Sequence, residues 1–275
     1  MSPLEAVRQA ETTLAENGVP SPRIDAELLV GHVLGLSRTA IYANGRFVSL
    51  TEGERLAALV ARRAEREPLA YVLGEWGFRR LSLQVDPRVL IPRPETEVVV
   101  ERCLELLAGF EAPRVLDVGT GSGAIALSIA DEHPGARVFA VDSSAPALAV
   151  ARENVRRTGL EGRVELGESD LLGGVSGSFD LVVSNPPYVS PSERSGLEPE
   201  VRDFEPSVAL VGIEVGNQIA AEALRVLRPG GWVVLESGDG QTKSLAAALR
   251  SLGYDRVTVS PDLAGVDRVV EGRAP

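Results

Sequence analysis

A chain of 275 residues with 44% hydrophobic and 24% charged residues has room for one α/β domain and a smaller companion, in the balance of an ordinary globular protein. No apolar run approaches the roughly 18–20 residues that span a membrane, Met1–Ala10 lacks the basic-then-apolar order of a secretory leader, and a single cysteine, Cys103, excludes an internal disulfide and a thiolate metal cluster. A cytoplasmic setting is therefore expected, and the net charge of −11 argues against a nucleic-acid partner, whose phosphates call for a basic surface.

Residues 1–70 read as amphipathic helices. Ser2-Pro3-Leu4-Glu5 is a capping box with proline at the first helical position. Leu4, Val7, Ala10 and Leu14 follow on one face, and Asn17-Gly18 stops the run. Ser21-Pro22-Arg23 opens a second helix carrying Ala26, Leu29, Val30 and Val33 toward Gly35. Thr51-Glu52-Gly53-Glu54 opens a third, with Leu56, Leu59 and Val60 behind it, and Arg62, Arg63 and Arg66 give it a basic face read as solvated. None of these helices carries a chemical motif, so a small packed bundle is expected. Residues 71–94 form the connection. Gly74, Trp76, Gly77 and Phe78, then Leu81, Leu83 and Val85 at period two, predict a hairpin within Tyr71–Val89 whose aromatics pack it. Pro87, Pro92 and Pro94 then punctuate the chain ahead of the next helix.

Residues 95–275 alternate helix and strand. After a helix at about Thr96–Ala108, strands are expected at Arg114–Val118, Arg137–Val141, Val164–Leu166, Leu181–Ser184, Trp232–Glu236, Arg256–Pro261 and Asp267–Gly272. Helices fall between them at Ala124–Glu132, Ala145–Thr158 and Gln218–Leu227. Such alternation builds an α/β fold, a mainly parallel Rossmann-like sheet with helices on both faces, its seventh strand antiparallel after a short turn.

The first of these strands runs into Gly119-Thr120-Gly121-Ser122-Gly123 and then an apolar helix. Glycines let the backbone approach a ligand in dihedrals that side chains forbid, and a helix N-terminus faces the same place. Asp142 ends the next strand, where a carboxylate can accept the hydroxyls of a ribose. The Gly-x-Gly-x-Gly spacing and the strand-borne Asp117 favour S-adenosylmethionine over a dinucleotide, because an acid beside the turn suits an ammonium and a sulfonium and repels a pyrophosphate. Asp170, after the third strand, is placed to accept an adenine amino group.

Asn185-Pro186-Pro187-Tyr188 follows the buried strand Phe179–Ser184, at the edge where open α/β sheets hold their ligands. Two prolines stiffen the loop and remove two N–H groups, leaving carbonyls for a substrate. Asn185 Oδ1 and the Pro186 carbonyl can accept both N–H bonds of an amide or exocyclic amine, steering its nitrogen toward sp³ character, with Tyr188 as an aromatic wall. Asn185, Pro186 and Tyr188 are thus the expected catalytic residues and Asn185–Tyr188 the substrate loop. The chemistry is methylation of a planar nitrogen, adenine or glutamine alike, carried by positioning and electrostatics. A non-catalytic binding protein would not need both motifs intact.

With these motifs the chain resembles the HemK/PrmC family, the peptide-chain release factor glutamine N5-methyltransferases. Leu90-Ile91-Pro92-Arg93-Pro94-Glu95-Thr96-Glu97, Gly238 with Gln241, Asp262-Leu263-Ala264-Gly265 and Asp267-Arg268 also fit it, as does the helical N-terminal region. The resemblance implies a class I methyltransferase with a seven-stranded mixed sheet, joined by a β-hairpin to a helical substrate-recognition domain. It also implies a monomer whose partners are class 1 release factors, methylated at the glutamine of their Gly-Gly-Gln loop. By the same resemblance Gly119, Thr120, Gly121, Ser122, Gly123, Asp142, Asp170, Leu171 and Asn185 hold S-adenosylmethionine, Leu171 covering adenine. The chain departs from the family at Val211-Gly212-Ile213-Glu214-Val215-Gly216, where an Asp-Gly-Leu stretch is common, and at Glu236-Ser237-Gly238 in place of Glu-Ile-Gly. Glu95 and Glu97 read either as helix-start acids or as part of the cofactor entrance. His32 and His133 lack ligand neighbours, so no metal is expected.

Overall fold

The computed structural model describes residues 1–43 and 46–275. In chain order the elements are α1 (Pro3–Glu16), α2 (Pro22–Leu34), α3 (Arg38–Ala43), α4 (Leu50–Ala64), α5 (Leu69–Leu73), β1 (Glu75–Phe78), β2 (Leu81–Gln84), α6 (Pro94–Leu107), β3 (Arg114–Val118), α7 (Ala124–Glu132), β4 (Arg137–Asp142), α8 (Ala145–Thr158), β5 (Val164–Glu168), β6 (Phe179–Ser184), α9 (Pro199–Phe204), α10 (Ser207–Leu210), α11 (Val215–Ala223), β7 (Leu227–Glu236), α12 (Thr242–Ser251), β8 (Asp255–Pro261) and β9 (Asp267–Arg273). Contacts divide the chain into two units, Met1–Glu75 with Glu198–Phe204, and Trp76–Leu197 with Glu205–Pro275.

The first unit is the helical bundle. Ser2 Oγ accepts the Glu5 N–H while Glu5 Oε2 accepts the Ser2 N–H, closing the capping box that starts α1. The box of α4 is set by Ser49 and Glu52, two residues before the expected Thr51 start. Val7, Leu14, Leu29, Val30, Ile41 and Val60 meet in one core. Arg62 stays exposed as expected, but Arg63 is buried and Arg66 half-buried, contrary to expectation. Arg63 donates to Asp25 (2.7 Å) and to the Glu67 carbonyl (3.1 Å) and pairs with Glu200 (2.9 Å). Arg66 grips Glu200 through two bonds of 2.7 and 2.6 Å, and Arg62 turns to Glu67 and the Tyr71 carbonyl. The reason is tertiary: α9, which the sequence pattern alone leaves in the 95–275 stretch, packs by its contacts with this unit and carries Glu200 to the end of α4.

In the second unit β1 and β2 pair as the hairpin. It is narrower than expected, because Tyr71–Leu73 closes helix α5 and Gly74, at φ +79°, ends it. Phe78 is buried in the core, as expected. The seven-stranded sheet has the order β5-β4-β3-β6-β7-β9-β8. β3 to β7 run parallel, and β9 lies antiparallel between β7 and β8. Residues of α6, α7 and α8 fill the core on one face and those of α11 and α12 the core on the other. β6 is therefore buried at every position, with Leu181, Val182 and Val183 apolar between Asp180 and Ser184, which are hydrogen-bonded to the Arg114 N–H and the Val118 carbonyl. The boundaries around the start of β7 differ most from expectation. The helix expected at Gln218–Leu227 is Val215–Ala223, and the Leu227–Gly231 stretch belongs to β7, which bulges against β6. Its Pro-Gly-Gly looks like a loop, but glycine is needed at 231 because a Cβ there would lie 3.1 Å from the Asp180 carbonyl.

Candidate active site

The carboxyl ends of β3, β4, β6 and β7 form one edge. After β3 the chain turns through Gly119, Gly121 and Gly123 at φ +72°, +55° and +86°, a left-handed path that other residues resist. The turn is held from within the protein. The N–H groups of Gly119 and Thr120 both donate to the Val141 carbonyl (2.8 and 3.0 Å), that of Gly121 to Asp142 Oδ2 (2.8 Å), and that of Gly123 to the Thr120 carbonyl (2.8 Å). These amides are not available to cradle a phosphate. What the turn offers is acceptors.

Asp117 lies beneath it, 1% exposed. Thr120 Oγ1 donates to its Oδ2 (2.7 Å), while Oδ1 is buried with no hydrogen-bond partner. Burial pushes this carboxyl up to about 7, against the Thr120 bond that lowers it. An orphaned acceptor of this kind suits a cation. Asp142 uses one lone pair of Oδ2 on Gly121 and one of Oδ1 on the Ser144 N–H (2.9 Å), so each oxygen keeps a site for a hydroxyl. These acceptors thus fit S-adenosylmethionine and do not fit a dinucleotide pyrophosphate.

A cavity of about 280 Å³ opens here, lined by Gly119, Gly121, Asp142, Asp170, Leu171, Asn185, Pro186 and Pro187 of the expected residues. Leu171 sits at φ +49°, an uncommon conformation for a non-glycine residue. Further walls come from Arg88, Val89 and Leu90 after the hairpin and from Pro206, Val208 and Ala209 at α10, none of which was singled out as a site residue. Thr120, Ser122 and Gly123 do not line it. Thr120 acts through Asp117, and the Ser122 carbonyl accepts from Asn154 Nδ2 (2.9 Å), which ties the turn to α8.

Pro186, Pro187 and Tyr188 line a second cavity of about 270 Å³, together with Glu236, Gln241, Ser244 and Asn217. The loop is thus a wall common to both cavities. Ser184 Oγ donates to the Val118 carbonyl (2.7 Å), fastening the end of β6 to β3. Asn185 Nδ2 donates to Thr96 Oγ1 (3.0 Å), and Thr96 Oγ1 donates to Glu236 Oε2 (2.7 Å). Burial lifts Glu236 to about 7, the Thr96 bond opposing it. Gln241 Nε2 donates to the Tyr188 carbonyl (3.0 Å), and a Cβ on Gly238 would stand 3.0 Å from the Tyr188 ring. Burial, with Glu236 adding to it, pushes the Tyr188 phenol up to about 12, so it stays neutral. The divergent 211–216 stretch also supports the loop: Val189 donates to the Leu210 carbonyl and accepts from the Gly212 N–H, and a Cβ on Gly212 would come within 3.0 Å of Pro187.

Other candidates settle elsewhere. Glu97 accepts the Arg79 N–H (2.9 Å) and serves the hairpin turn. His133 Nε2 lies 3.3 Å from the Leu107 carbonyl, and no metal-binding cluster occurs among the described residues. A roomier cavity, about 540 Å³, lies at Arg114, Arg137, Arg163 and Phe179, away from every motif residue. Sequence reasoning missed Thr96 and Glu236 as parts of the site, although an acid ending the strand beside β6 was a usable signal.

Comparison with known proteins agrees with this geometry. Residues 5–74 match the PrmC N-terminal domain and residues 96–197 the methyltransferase small domain. The chain is 44% identical over 276 residues to the release factor glutamine methyltransferase of Deinococcus radiodurans, covering 98% of this chain and 97% of that one. It is 41% identical over 275 residues to that of Caulobacter vibrioides, covering 98% and 95%. The Thermus thermophilus 16S rRNA N2 G1207 methyltransferase, solved with AdoMet and guanosine, shares the fold at 18% identity and a TM-score of 0.55, over 73% of this chain and 50% of its own. A class I methyltransferase sheet, a glycine turn built for a cationic nucleoside, an acceptor loop beside it, and identity above 40% along almost the whole length lead to one placement: the chain belongs to the release factor glutamine methyltransferase family.

Proposed function

We propose that this chain transfers the methyl group of S-adenosylmethionine to the side-chain nitrogen, N5, of the glutamine in the Gly-Gly-Gln loop of class 1 peptide chain release factors. The observation that carries methyl transfer to a planar nitrogen is the Asn185–Tyr188 loop, whose prolines line both the cavity of the glycine turn and the cavity of Tyr188 and Gln241, and the family supports glutamine as its bearer. A donor on one side and an acceptor nitrogen on the other can meet across it.

S-adenosylmethionine, when bound, supplies a methyl group on an electron-poor sulfonium sulfur. Gly119, Gly121, Asp142, Asp170 and Leu171 hold it, with Thr120, Ser122 and Gly123 keeping the turn in shape. An amide nitrogen is a weak nucleophile because its lone pair is shared with the carbonyl. Asn185 Oδ1 and the Pro186 carbonyl accept its two N–H groups and turn the lone pair outward, while the neutral Tyr188 and Pro187 flank the flat group. As the N–C bond forms the S–C bond breaks, leaving the thioether product, and one N–H proton of the methylated amide passes to water; catalysis is positioning and electrostatic support, with no strong base. The chain works as a cytoplasmic monomer on a protein partner and does not bind nucleic acid. Among the described residues no helix is long and apolar enough to cross a membrane.

Labelled S-adenosylmethionine incubated with release factor, ribosomal protein or DNA tests the assignment. Label should appear on the release factor glutamine. Label on DNA alone refutes the assignment. Asn185→Ala should abolish turnover and leave cofactor affinity within about threefold, since the residue acts on the acceptor.

A further inference from the structure

We infer that Thr96 and Glu236 are positioning residues that fix which end of the Asn185 amide faces the substrate. The inference rests on the reading of Asn185 as the acceptor for the glutamine N–H. Asparagine's oxygen and nitrogen are nearly the same size, so sterics do not choose between its two orientations. Hydrogen bonds must. In the wrong one, an NH₂ group would meet the substrate's own N–H.

The neighbouring groups leave one choice. Glu236 closes β7, in register beside the end of β6 where Ser184 faces Leu235. Its side chain is 1% exposed, and Thr96, in the first turn of α6, is 4% exposed. Ionised, as it is above about pH 7, Glu236 only accepts, so the Thr96 hydroxyl, 2.7 Å away, gives its proton to it. The same oxygen then has lone pairs alone to offer Asn185, and the Nδ2 group donates to it at 3.0 Å. Oδ1 takes no part in this chain of bonds and is left to accept from the substrate. The polarity runs from acid through hydroxyl to amide, set by the one member that cannot donate.

Glu236 fits this role better than that of a structural ion pair. Its hydrogen bond goes to the Thr96 hydroxyl, while Arg268, the cation that lowers it from a distance, is bonded to Asp262 at 3.2 Å. A buried carboxylate without a close cation is unfavourable for folding, so the fold keeps it at a cost. Glutamine would fill the same space with less penalty, yet its NH₂ could donate to Thr96 and allow the whole chain of bonds to reverse.

The test uses the full chain with S-adenosylmethionine and a release factor, comparing Thr96→Val, Thr96→Ser, Glu236→Gln, Asn185→Ala and the double variant Thr96→Val/Asn185→Ala. Cofactor binding by calorimetry shows which variants are folded. Thr96→Val should lower kcat by about 10- to 100-fold, as misorientation of a reacting group does, with cofactor affinity unchanged, and Thr96→Ser should restore most of it. Glu236→Gln should lose kcat to a similar degree, and it carries the test should Thr96→Val fail to fold. The double variant should be no slower than Asn185→Ala, since orienting an absent amide has no value. A Thr96→Val or Glu236→Gln enzyme with ordinary kcat, a Thr96→Ser enzyme as slow as Thr96→Val, or additive losses in the double variant would overturn the inference. Full activity in Asn185→Ala would instead overturn the reading of the loop on which it stands.

Discussion

Alanine at Gly121 and at Gly123 should fail in opposite ways. Both glycines are left-handed, at φ +55° and +86°, so a Cβ at either position costs about 1–2 kcal/mol of conformational energy. At Gly121 an added Cβ meets nothing within 4 Å, but the residue lines the cavity of the glycine turn. The fold should lose only that conformational term, a fall in Tm of roughly 2–8 °C for a domain of this size. The methyl group would stand where the cofactor belongs, and overpacking of about 1–3 kcal/mol weakens binding by roughly 5- to 150-fold. At Gly123 the Cβ would come 3.1 Å from Leu127 Cδ1, a fully buried side chain, and the residue does not line the cavity. Gly123→Ala should therefore add strain in the core, roughly double the loss of Tm, and leave the cofactor Kd within about threefold. Differential scanning fluorimetry and calorimetry with S-adenosylhomocysteine separate the two effects. Equal losses of affinity in both variants, with the same Tm, would refute the division of labour assigned to the turn.

In the helical unit, Arg63→Met would strand the buried Asp25 carboxylate while Glu200 keeps its two bonds from Arg66, and urea unfolding should show a loss of about 3–5 kcal/mol, the usual result of removing one partner of a buried pair. Asp117 and Glu236 should give the catalytic unit a pH signature. Burial raises both carboxyls from 3.8 and 4.5 to about 7, so the stability they contribute is complete below the ordinary values, declines as pH rises, and is gone above about 7. A cationic cofactor favours the Asp117 carboxylate, so its Kd should tighten as pH rises through about 7. An Asp117→Asn variant should lose that dependence, and a wild-type Kd flat from pH 6 to 8 would rule the coupling out.

The parts of the fold legible in the sequence are those whose cause is local. α7 and α8 have the expected limits because a glycine turn and a Ser144 cap start them, and β3 reads directly because Val115, Leu116 and Val118 give the mostly apolar run of a strand covered on both faces. Where tertiary structure decides, the pattern misled. Leu227–Gly231 has loop composition yet joins β7 through a bulge, and the arginines of α4 find their acids on α2 and α9. The site divides the same way. Its motifs were contiguous in sequence and lay where expected, on one sheet edge. Thr96, Glu236, the Arg88–Leu90 wall and the α10 wall reach that edge through strand order and packing, which no local spacing records.

The loop alone leaves its substrate open, since two carbonyl acceptors recognise two N–H groups on any planar carbon, adenine or glutamine. What separates these is the rest of each substrate. A nucleobase arrives on a phosphate chain, whose binding draws mainly on lysine and arginine. Among the described residues lining the two cavities beside the loop, Arg88 is the only cation, and it is bonded to Asp86 through its backbone N–H and its guanidinium. Glu214 and Glu236 line the acceptor side. Phosphates there would meet carboxylates and one occupied guanidinium. A Gly-Gly-Gln loop brings no charge of its own, only amides, and next to the acceptor loop it meets the neutral polar groups of Gln241, Ser244 and Asn217, the last with its buried Oδ1 unpartnered. Charge complementarity thus favours a peptide, through the character of the walls and not through the Asn185–Tyr188 motif itself.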